Sequence, residues 1–351
     1  MRDHFRLSMQ ASHLLTGVLA IASIVFMGWG AAAGDTFYLR LGTEALIFAG
    51  LALSVELLLG YTGLLSLGQA MYFGVGAYVS ALTLIATGSF WMALGAAFLA
   101  SLAASFVGGL VANRVRGVYF VLLTFALAQV AAKAVYNTKA LGSSDGMIGI
   151  PVPKLSLIGW DIPMSNPAVL FLVVALVIFG LYGFCSWLLN TPLGRLFVAL
   201  RANERRVPFL GYSVWHARMA AYMVAGAIAG ISGALYPMLR GFVSPELMFF
   251  TTSGNAVIMV ILGGVGTLAG ALYGATILVL LKSFISTYTE HHLIIIGALF
   301  IALVLFVPQG MIGCIRPRLM AWLERSGSRP SLPAAPVASV APIRAARSDL
   351  T

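Results

Sequence analysis

Long apolar runs, repeated from one end of the chain to the other, constrain this sequence more than any motif it carries. Most runs have roughly 20 residues, enough to span ~30 Å of hydrocarbon as a helix, and two near the end, 254–265 and 268–281, are shorter. None shows the alternating segments of about ten residues that build an outer-membrane barrel. Only 9% of the 351 residues are charged and 60% are hydrophobic, whereas soluble domains carry about a quarter charged residues. The fold class is therefore all-α, a polytopic integral membrane helical bundle.

In chain order the runs cover 13–33, 43–60, 64–86, 90–112, 118–132, 168–189, 219–239, 254–265, 268–281 and 293–307. This predicts about ten transmembrane helices with both termini cytoplasmic. The first run follows Arg2 and Arg6 and ends in small residues like a signal peptide, but its length and the spans behind it favour an uncleaved helix. Basic residues test the count. Inside fall Arg2, Arg6, Arg114, Arg116, Arg195, Arg201, Arg205, Arg206, Arg218 and the arginines of the tail; outside fall Arg40, Lys133, Lys139, Lys154, Arg240 and Lys282. That bias is what orientation by cytoplasmic positive charge requires. It also explains the net charge of +10 without nucleic acid. Merging the two segments around Thr267 into one helix would strand Arg316, Arg318 and Arg325 outside, although a re-entrant hairpin there is an alternative.

The organisation that follows is a cytoplasmic N-terminus (1–12), a transmembrane region (13–312) and a cytoplasmic basic tail (313–351). The Ser/Pro/Ala composition of the tail from Ser326 onward cannot bury enough apolar surface to fold. Two polar insertions interrupt the transmembrane region. One (133–166), with Pro151, Pro153 and Pro163, reads as an external loop with a short interfacial helix; the other (190–217) reads as cytoplasmic.

Chemistry is sparse. No phosphate-binding loop surrounds Lys133, Lys139, Lys154 or Lys282, and no His-Glu-x-x-His, Gly-x-Ser-x-Gly or metal-type cysteine spacing occurs. Cys185 and Cys314 read as core or lipid-facing residues. The chain has no visible equipment of an enzyme and implies no cofactor, so ATP, if it drives transport here, must be handled by a partner.

Inside the membrane Glu56 requires explanation, since a carboxylate in hydrocarbon must neutralise, find a partner or face water. Gln69 stands at a similar depth across the Tyr61–Gly63 turn, and a hydrogen bond between the two is expected. That pair either glues two helices, a net effect of about 1 kcal/mol, or lines a permeation path. Glu44, nearer the outer end, reads as solvated. The glycines of the third span and of 263–274 allow close helix packing or a kinked, exposed backbone. Leu59-Gly60-x-x-Gly63-x-Leu65 recurs as Leu262-Gly263-x-x-Gly266-x-Leu268, either a true repeat or chance in a Gly/Leu-rich chain.

The Gly194–Gly211 stretch is a polar island with Arg195, Arg201, Arg205, Arg206 and Glu204. Leu196, Leu200 and Val207 fall on one helical face, with Asn203 between, and Pro208 ends the helix. An amphipathic helix of this kind suits a groove on another protein or anionic headgroups. These alternatives are equal on the residues alone.

Taken together, several stretches resemble the permease subunits of ABC importers for branched-chain amino acids, the LivM-type members of the LivH/LivM family. They are Gly60-Tyr-Thr-Gly63-x-x-Ser66-Leu-Gly68-Gln69 followed by Phe73-Gly-x-Gly-Ala-Tyr78, and Arg116-Gly-Val-Tyr119. Ser144-Asp-Gly-x-x-Gly-Ile-Pro151 and Gly194-Arg-x-x-x-Ala-x-Arg201-x-Asn203-Glu204 with Leu210-Gly211 follow. Gly230-x-x-Gly-Ala-Leu235, Ser244-Pro245 and Leu262-Gly263-Gly264-x-Gly266-Thr267 complete the order. The resemblance departs at Glu56, where the family commonly carries Asn or Asp, and at Gly270-Ala271, where it carries Gly-Pro.

The resemblance implies a permease subunit in a bacterial-type inner membrane, importing branched-chain or other amino acids, with urea or short-chain amides as the cargo of near relatives. It implies as partners a homologous LivH-like permease, two cytoplasmic ABC ATPase subunits, an extracytoplasmic solute-binding protein and membrane lipid. It favours the coupling reading for Gly194, Arg195, Leu196, Leu200, Arg201, Asn203, Glu204, Arg205, Val207 and Gly211. Candidates for the translocation path are Glu56, Gly60, Gly63, Ser66, Gly68, Gln69, Gly263, Gly264, Gly266 and Thr267. Two rivals from other classes are an ion-coupled carrier working alone with Glu56 as its ion site, and a passive channel for a small neutral solute.

Overall fold

A computed structural model describes residues 14–28, 36–157, 160–288, 294–295, 297–298, 301 and 310–312. The expected N-terminal segment and basic tail, Cys314 and most of the last expected span lie outside the described residues. Helices α1 (Leu14–Gly28), α2 (Thr36–Glu56), α3 (Gln69–Thr87), α4 (Phe90–Ala112), α5 (Val118–Asn137) and α6 (Pro167–Asn190) come first. They are followed by α7 (Pro192–Asn203), α8 (Val214–Ala234), α9 (Tyr236–Arg240), α10 (Phe250–Gly263) and α11 (Leu268–Tyr288). Among the described residues seven helical segments are long and apolar enough to cross a membrane, and α1 and α10 are shorter apolar helices. The protein is a multi-pass helical membrane bundle.

Burial orders the bundle. The most apolar window of α2 is 83% buried and that of α8 78%, whereas α4 and α5 bury only 28% and 22% of theirs. The inner pair therefore forms the core, and the outer pair offers its apolar surface to lipid or to another subunit. Sequence accounts for the depth of α8: its Gly226 faces the Ser105 side chain, Gly230 the Ser101 side chain and Gly233 the Phe73 backbone. Gly76 on α3 meets the Gly230 backbone in the same contact. Hydrocarbon gives helices no hydrophobic reason to associate, so close backbone approach through small residues supplies the packing.

Two ends are distinguishable. At one, Glu44 of α2 and Arg240 of α9 form an ion pair at 2.7 Å, so Glu44 is paired and not simply solvated. At the other lie the Leu57–Thr62 segment, α7 and the 263–267 turn.

Among the described residues, the insertion after α5 contains no helix longer than the 3-10 turn Lys139–Leu141. Instead β1 (Met147–Ile148) pairs antiparallel with β4 (Phe242–Val243), with Met147 opposite Val243. The segments β2 (Lys154–Leu157) and β3 (Trp160–Pro163) form an antiparallel hairpin with Lys154 opposite Pro163. The expected interfacial helix is replaced because the Pro- and Gly-rich chain finds its backbone partners across strands.

The 64–86 run is not helical throughout. Residues 64–68 are irregular and α3 begins at Gln69. Similarly, α10 has 14 residues, roughly 21 Å at 1.5 Å per residue, too short to span the hydrocarbon alone. A 3-10 turn (Pro245–Met248) precedes it, with Met248 packed on Gly74. The chain from Arg240 to Gly266 nevertheless travels from the Glu44 level of α2 to the Glu56 level. The crossing is thus made by a discontinuous helix, whose irregular stretch buries Val243, Pro245, Leu247 and Met248 against the bundle.

Candidate functional site

After Glu56 the second span does not stop but widens into a π-helical turn, Leu57–Thr62. Such turns leave carbonyls out of the regular ladder and are frequent at functional sites. Here the Leu58 carbonyl takes the amides of Gly63 and of Leu64, the latter at 3.0 Å, together with the Thr62 hydroxyl at 2.6 Å. Gly63 closes the turn at φ 74°, a left-handed conformation that glycine adopts without penalty.

Three remote pieces of chain meet on this turn. The Glu56 side chain is fully buried, and its Oε1 accepts the Gly266 amide proton at 2.7 Å. Gly60 has to be glycine, because a β-carbon there would collide with the Glu56 carboxylate. From the other side of Gly266, the Tyr61 hydroxyl donates to the Gly266 carbonyl at 3.4 Å. Finally, Arg201 of α7 donates from Nη1 to the Gly60 carbonyl. A methyl group on Gly63 would lie 3.5 Å from the Arg201 Cα, and one on Gly266 3.1 Å from Arg201 Nη1. The two sequence-related glycine turns are therefore neighbours, and Gly63 and Gly266 at corresponding positions both have positive φ.

The irregular 64–68 segment is satisfied by hydroxyls. Ser66 accepts the Gly68 amide at 3.2 Å, and Thr124 of α5 accepts the Leu67 amide at 3.2 Å. Gly68 is pressed against α5, where a β-carbon would sit 2.9 Å from the Thr124 carbonyl oxygen. Ser253 of α10 accepts the Ala70 amide at 3.1 Å, so it fills one of the open donors at the start of α3.

The bond expected between Glu56 and Gln69 does not form. Gln69 is fully buried and faces Ser54 at 3.5 Å. Ser54 already spends its one proton on the Leu51 carbonyl at 2.7 Å, so the contact is best satisfied with the Gln69 amide donating. In either orientation one polar atom of that amide has no hydrogen-bond partner among the described residues. Nearby, the Tyr72 and Tyr222 hydroxyls lie 3.1 Å apart in the core. Gly263, Gly264 and Thr267 form the α10–α11 turn: Thr267 donates to the Gly264 carbonyl at 2.6 Å, and Gly263 and Gly270 approach backbone to backbone. All ten path candidates thus fall within one contiguous region at one end of α2, α3 and α11.

The coupling stretch differs from expectation in three respects. First, α7 ends at Asn203, whose side chain accepts the Arg205 amide at 3.0 Å, and residues Glu204–Leu210 form a 3-10 helix containing Pro208. A local side chain competes with the helix here before proline can stop it. Second, Leu196, Leu200 and Val207 do share a face, but it is buried against Ala217 inside the chain. Third, the charged residues are engaged within the protein: Glu204 stands 3.4 Å from Arg116 and 3.6 Å from the buried Arg218, which also donates to the Val115 carbonyl at 3.0 Å. Gly194 is buried against the Leu188–Leu189 backbone. Of the coupling candidates, Arg195, Arg201, Asn203, Arg205 and Gly211 are exposed, as is Arg206, beside an apolar patch of Phe209, Leu210, Tyr212 and Trp215; Phe209 is 90% exposed.

Sequence reading missed Arg201 as a partner of Gly60, Thr124, Ser253 and this aromatic patch. Ser253 had a signal, since it belongs to a polar run, Thr251–Asn255, beside an apolar segment. Among the described residues no group of acidic, histidine and cysteine side chains could hold a metal ion.

Comparison with known proteins covers the same region. A family described as "Branched-chain amino acid transport system / permease component" matches residues 37–304. The high-affinity branched-chain amino acid transport system permease protein LivM of Escherichia coli (strain K12) is 30% identical over 300 residues, 80% of this chain and 71% of that protein. The high-affinity branched-chain amino acid transport system permease protein LivH of the same organism is 22% identical over 284 residues, 76% of this chain and 91% of its own. A probable branched-chain amino acid transport permease protein LivM of Methanocaldococcus jannaschii is 24% identical over 273 residues, covering 68% and 78%. No solved structure matches the chain.

Proposed function

The chain belongs to the branched-chain amino acid transport permease family, and we propose that it forms one half of the translocation path of an ATP-driven importer for branched-chain or other amino acids. The observation that carries this reading is the meeting of Arg201, Gly60, Glu56 and Gly266. It joins a water-exposed, arginine-rich element to a buried polar region, in a chain without a phosphate loop of its own.

In this reading the arginine-rich end faces the cytoplasm of a bacterial-type inner membrane, and both termini, including the 313–351 tail, lie on that side. Two ATPase subunits dock on α7 and the following 3-10 helix. The contact surface is the Phe209–Trp215 patch with Arg195, Arg205 and Arg206, since the Leu196–Leu200–Val207 face is taken up internally. A homologous permease, of the kind that LivM and LivH relatives suggest, covers the poorly buried faces of α4 and α5, with lipid around the remainder. An extracytoplasmic solute-binding protein delivers cargo at the Glu44–Arg240 end, near the β1–β4 ribbon and the 133–166 insertion. The solute passes Gln69, Ser66 and Glu56, a buried polar cluster beside discontinuous helices in which the Gln69 amide keeps one polar atom without a hydrogen-bond partner among the described residues.

Reconstitution tests this directly. Proteoliposomes holding the chain, the homologous permease and the two ATPases, supplied with the binding protein, should accumulate radiolabelled leucine, isoleucine or valine only with ATP inside the complex's nucleotide sites. Accumulation of urea or an amide instead would change the cargo. Uptake by the isolated chain, driven by membrane potential or pH and blind to ATP, would establish the ion-coupled carrier. Downhill flux without any energy source would establish the channel.

A further inference from the structure

The element that meets the ATPase in the reading above also reaches the buried carboxylate region through the Arg201 side chain. We propose that Arg201 is a positioning residue: a latch that holds the Leu57–Thr62 π-turn and the 263–267 turn together and so closes the arginine-rich end of the path. The proposal rests on the transport reading for its purpose, though not for its test.

The geometry is that of a clasp with two sides. On the inner side Glu56 binds the Gly266 amide at 2.7 Å, and Gly60 is bare so that the carboxylate can lie across the turn. On the outer side Arg201 caps the Gly60 carbonyl, directly over Gly63 and Gly266. Tyr61 adds its hydroxyl to the Gly266 carbonyl between them. On the inner side Glu56 and Gly60 are buried and Gly266 is half-buried, but Arg201 is an exposed residue. A guanidinium–carbonyl bond reached by water exchanges partners cheaply, whereas a buried carboxylate cannot leave its donor without finding another. The outer side is therefore the one that gives way first.

The stretch of chain that carries Arg201 is tied to the rest of the bundle. Three residues further on, Glu204 lies between Arg116, in the α4–α5 connection, and Arg218, at the start of α8. A shift of α7 is thereby shared with α4, α5 and α8, and it withdraws Arg201 from Gly60. The two arrangements are discrete, as a switch requires: guanidinium on the Gly60 carbonyl, or in water.

Thiol labelling tests the latch without transport. Thr62, in the π-turn and only 4% exposed, is replaced by cysteine, Cys314 by alanine, and the fully buried Cys185 is retained as an indicator of unfolding. The full-length chain, co-expressed with its partner subunits, is placed in lipid nanodiscs with both faces in water, and a maleimide is added. Arg201→Met should raise the labelling rate of Thr62→Cys at least tenfold with Cys185 still protected. Arg201→Lys, which retains a donor, should raise it less than threefold, and Glu56→Ala should match Arg201→Met. Labelling of Arg201→Met at the parent rate overturns the latch. If Arg201→Met exposes Cys185, the same measurement on Arg201→Gln decides; if that variant also exposes Cys185, Arg201 is a structural support and the latch is wrong. Raised labelling of Arg201→Met where the parent chain shows no ATP-driven uptake would remove the transport reading and leave the latch, while normal ATP-driven uptake by the parent with unchanged labelling of Arg201→Met does the reverse.

Discussion

Gly60 and Glu56 are one unit, because the carboxylate occupies the space a side chain at position 60 would need. Gly60→Ala should displace the carboxylate from the Gly266 amide and reduce uptake at least tenfold. Gly254→Ala is the control, since a methyl group there meets nothing nearer than 4.0 Å, and uptake should stay at the parent level. A second residue-scale prediction concerns Glu204, whose removal leaves the Arg218 guanidinium, with its side chain 3% exposed, short of a counter-charge. Glu204 is itself partly exposed, so the loss is smaller than for a fully buried pair: Glu204→Gln should cost about 1–2 kcal/mol, seen as a lower Tm in detergent. Glu56 and Glu204 stood out in the sequence because charge is scarce there. Their partners did not, since a backbone amide 210 residues away and arginines on other elements leave no local pattern.

At the scale of elements, α7 and its 3-10 extension divide into a buried face and an exposed one. Leu200→Ala empties part of the small Leu196–Val207–Ala217 cluster and should cost about 2 kcal/mol, read by thermal unfolding. Phe209→Ser with Leu210→Ser should leave Tm unchanged yet reduce ATPase co-purification several-fold. The reverse pattern, with Leu200→Ala sparing stability but abolishing co-purification, would return the docking face to the leucine stripe. The stripe was legible by its spacing, but periodicity states only that a face is buried and not against what. The break in the third span was hidden for a related reason. Leu64–Gly68 is as apolar as a helix, and only the hydroxyls of Ser66 and Thr124 make its irregular backbone tolerable in a membrane.

For the whole molecule, small residues set the distances on which everything else depends. Gly76, Gly230 and Gly233 bring α3 and α8 into backbone contact, and Gly74 receives Met248 from the broken crossing. Gly233→Leu should separate α3 from α8, and the chain should fail to accumulate in membranes; the outward-facing Leu99→Ala, at a position 63% exposed, should accumulate normally. The sequence by itself determined that the chain is a multi-pass helical bundle, where its arginines gather and which family it resembles. Hydrocarbon forces these outcomes through run length and charge placement, both local properties. Tertiary structure decided which face of α7 is free, where the spans break, and that Arg201, Glu56 and Gly266 share one junction. Those depend on contacts between residues far apart in the chain, where a carbonyl exposed by a π-turn and a glycine kept bare for a carboxylate acquire meaning only once the helices have packed.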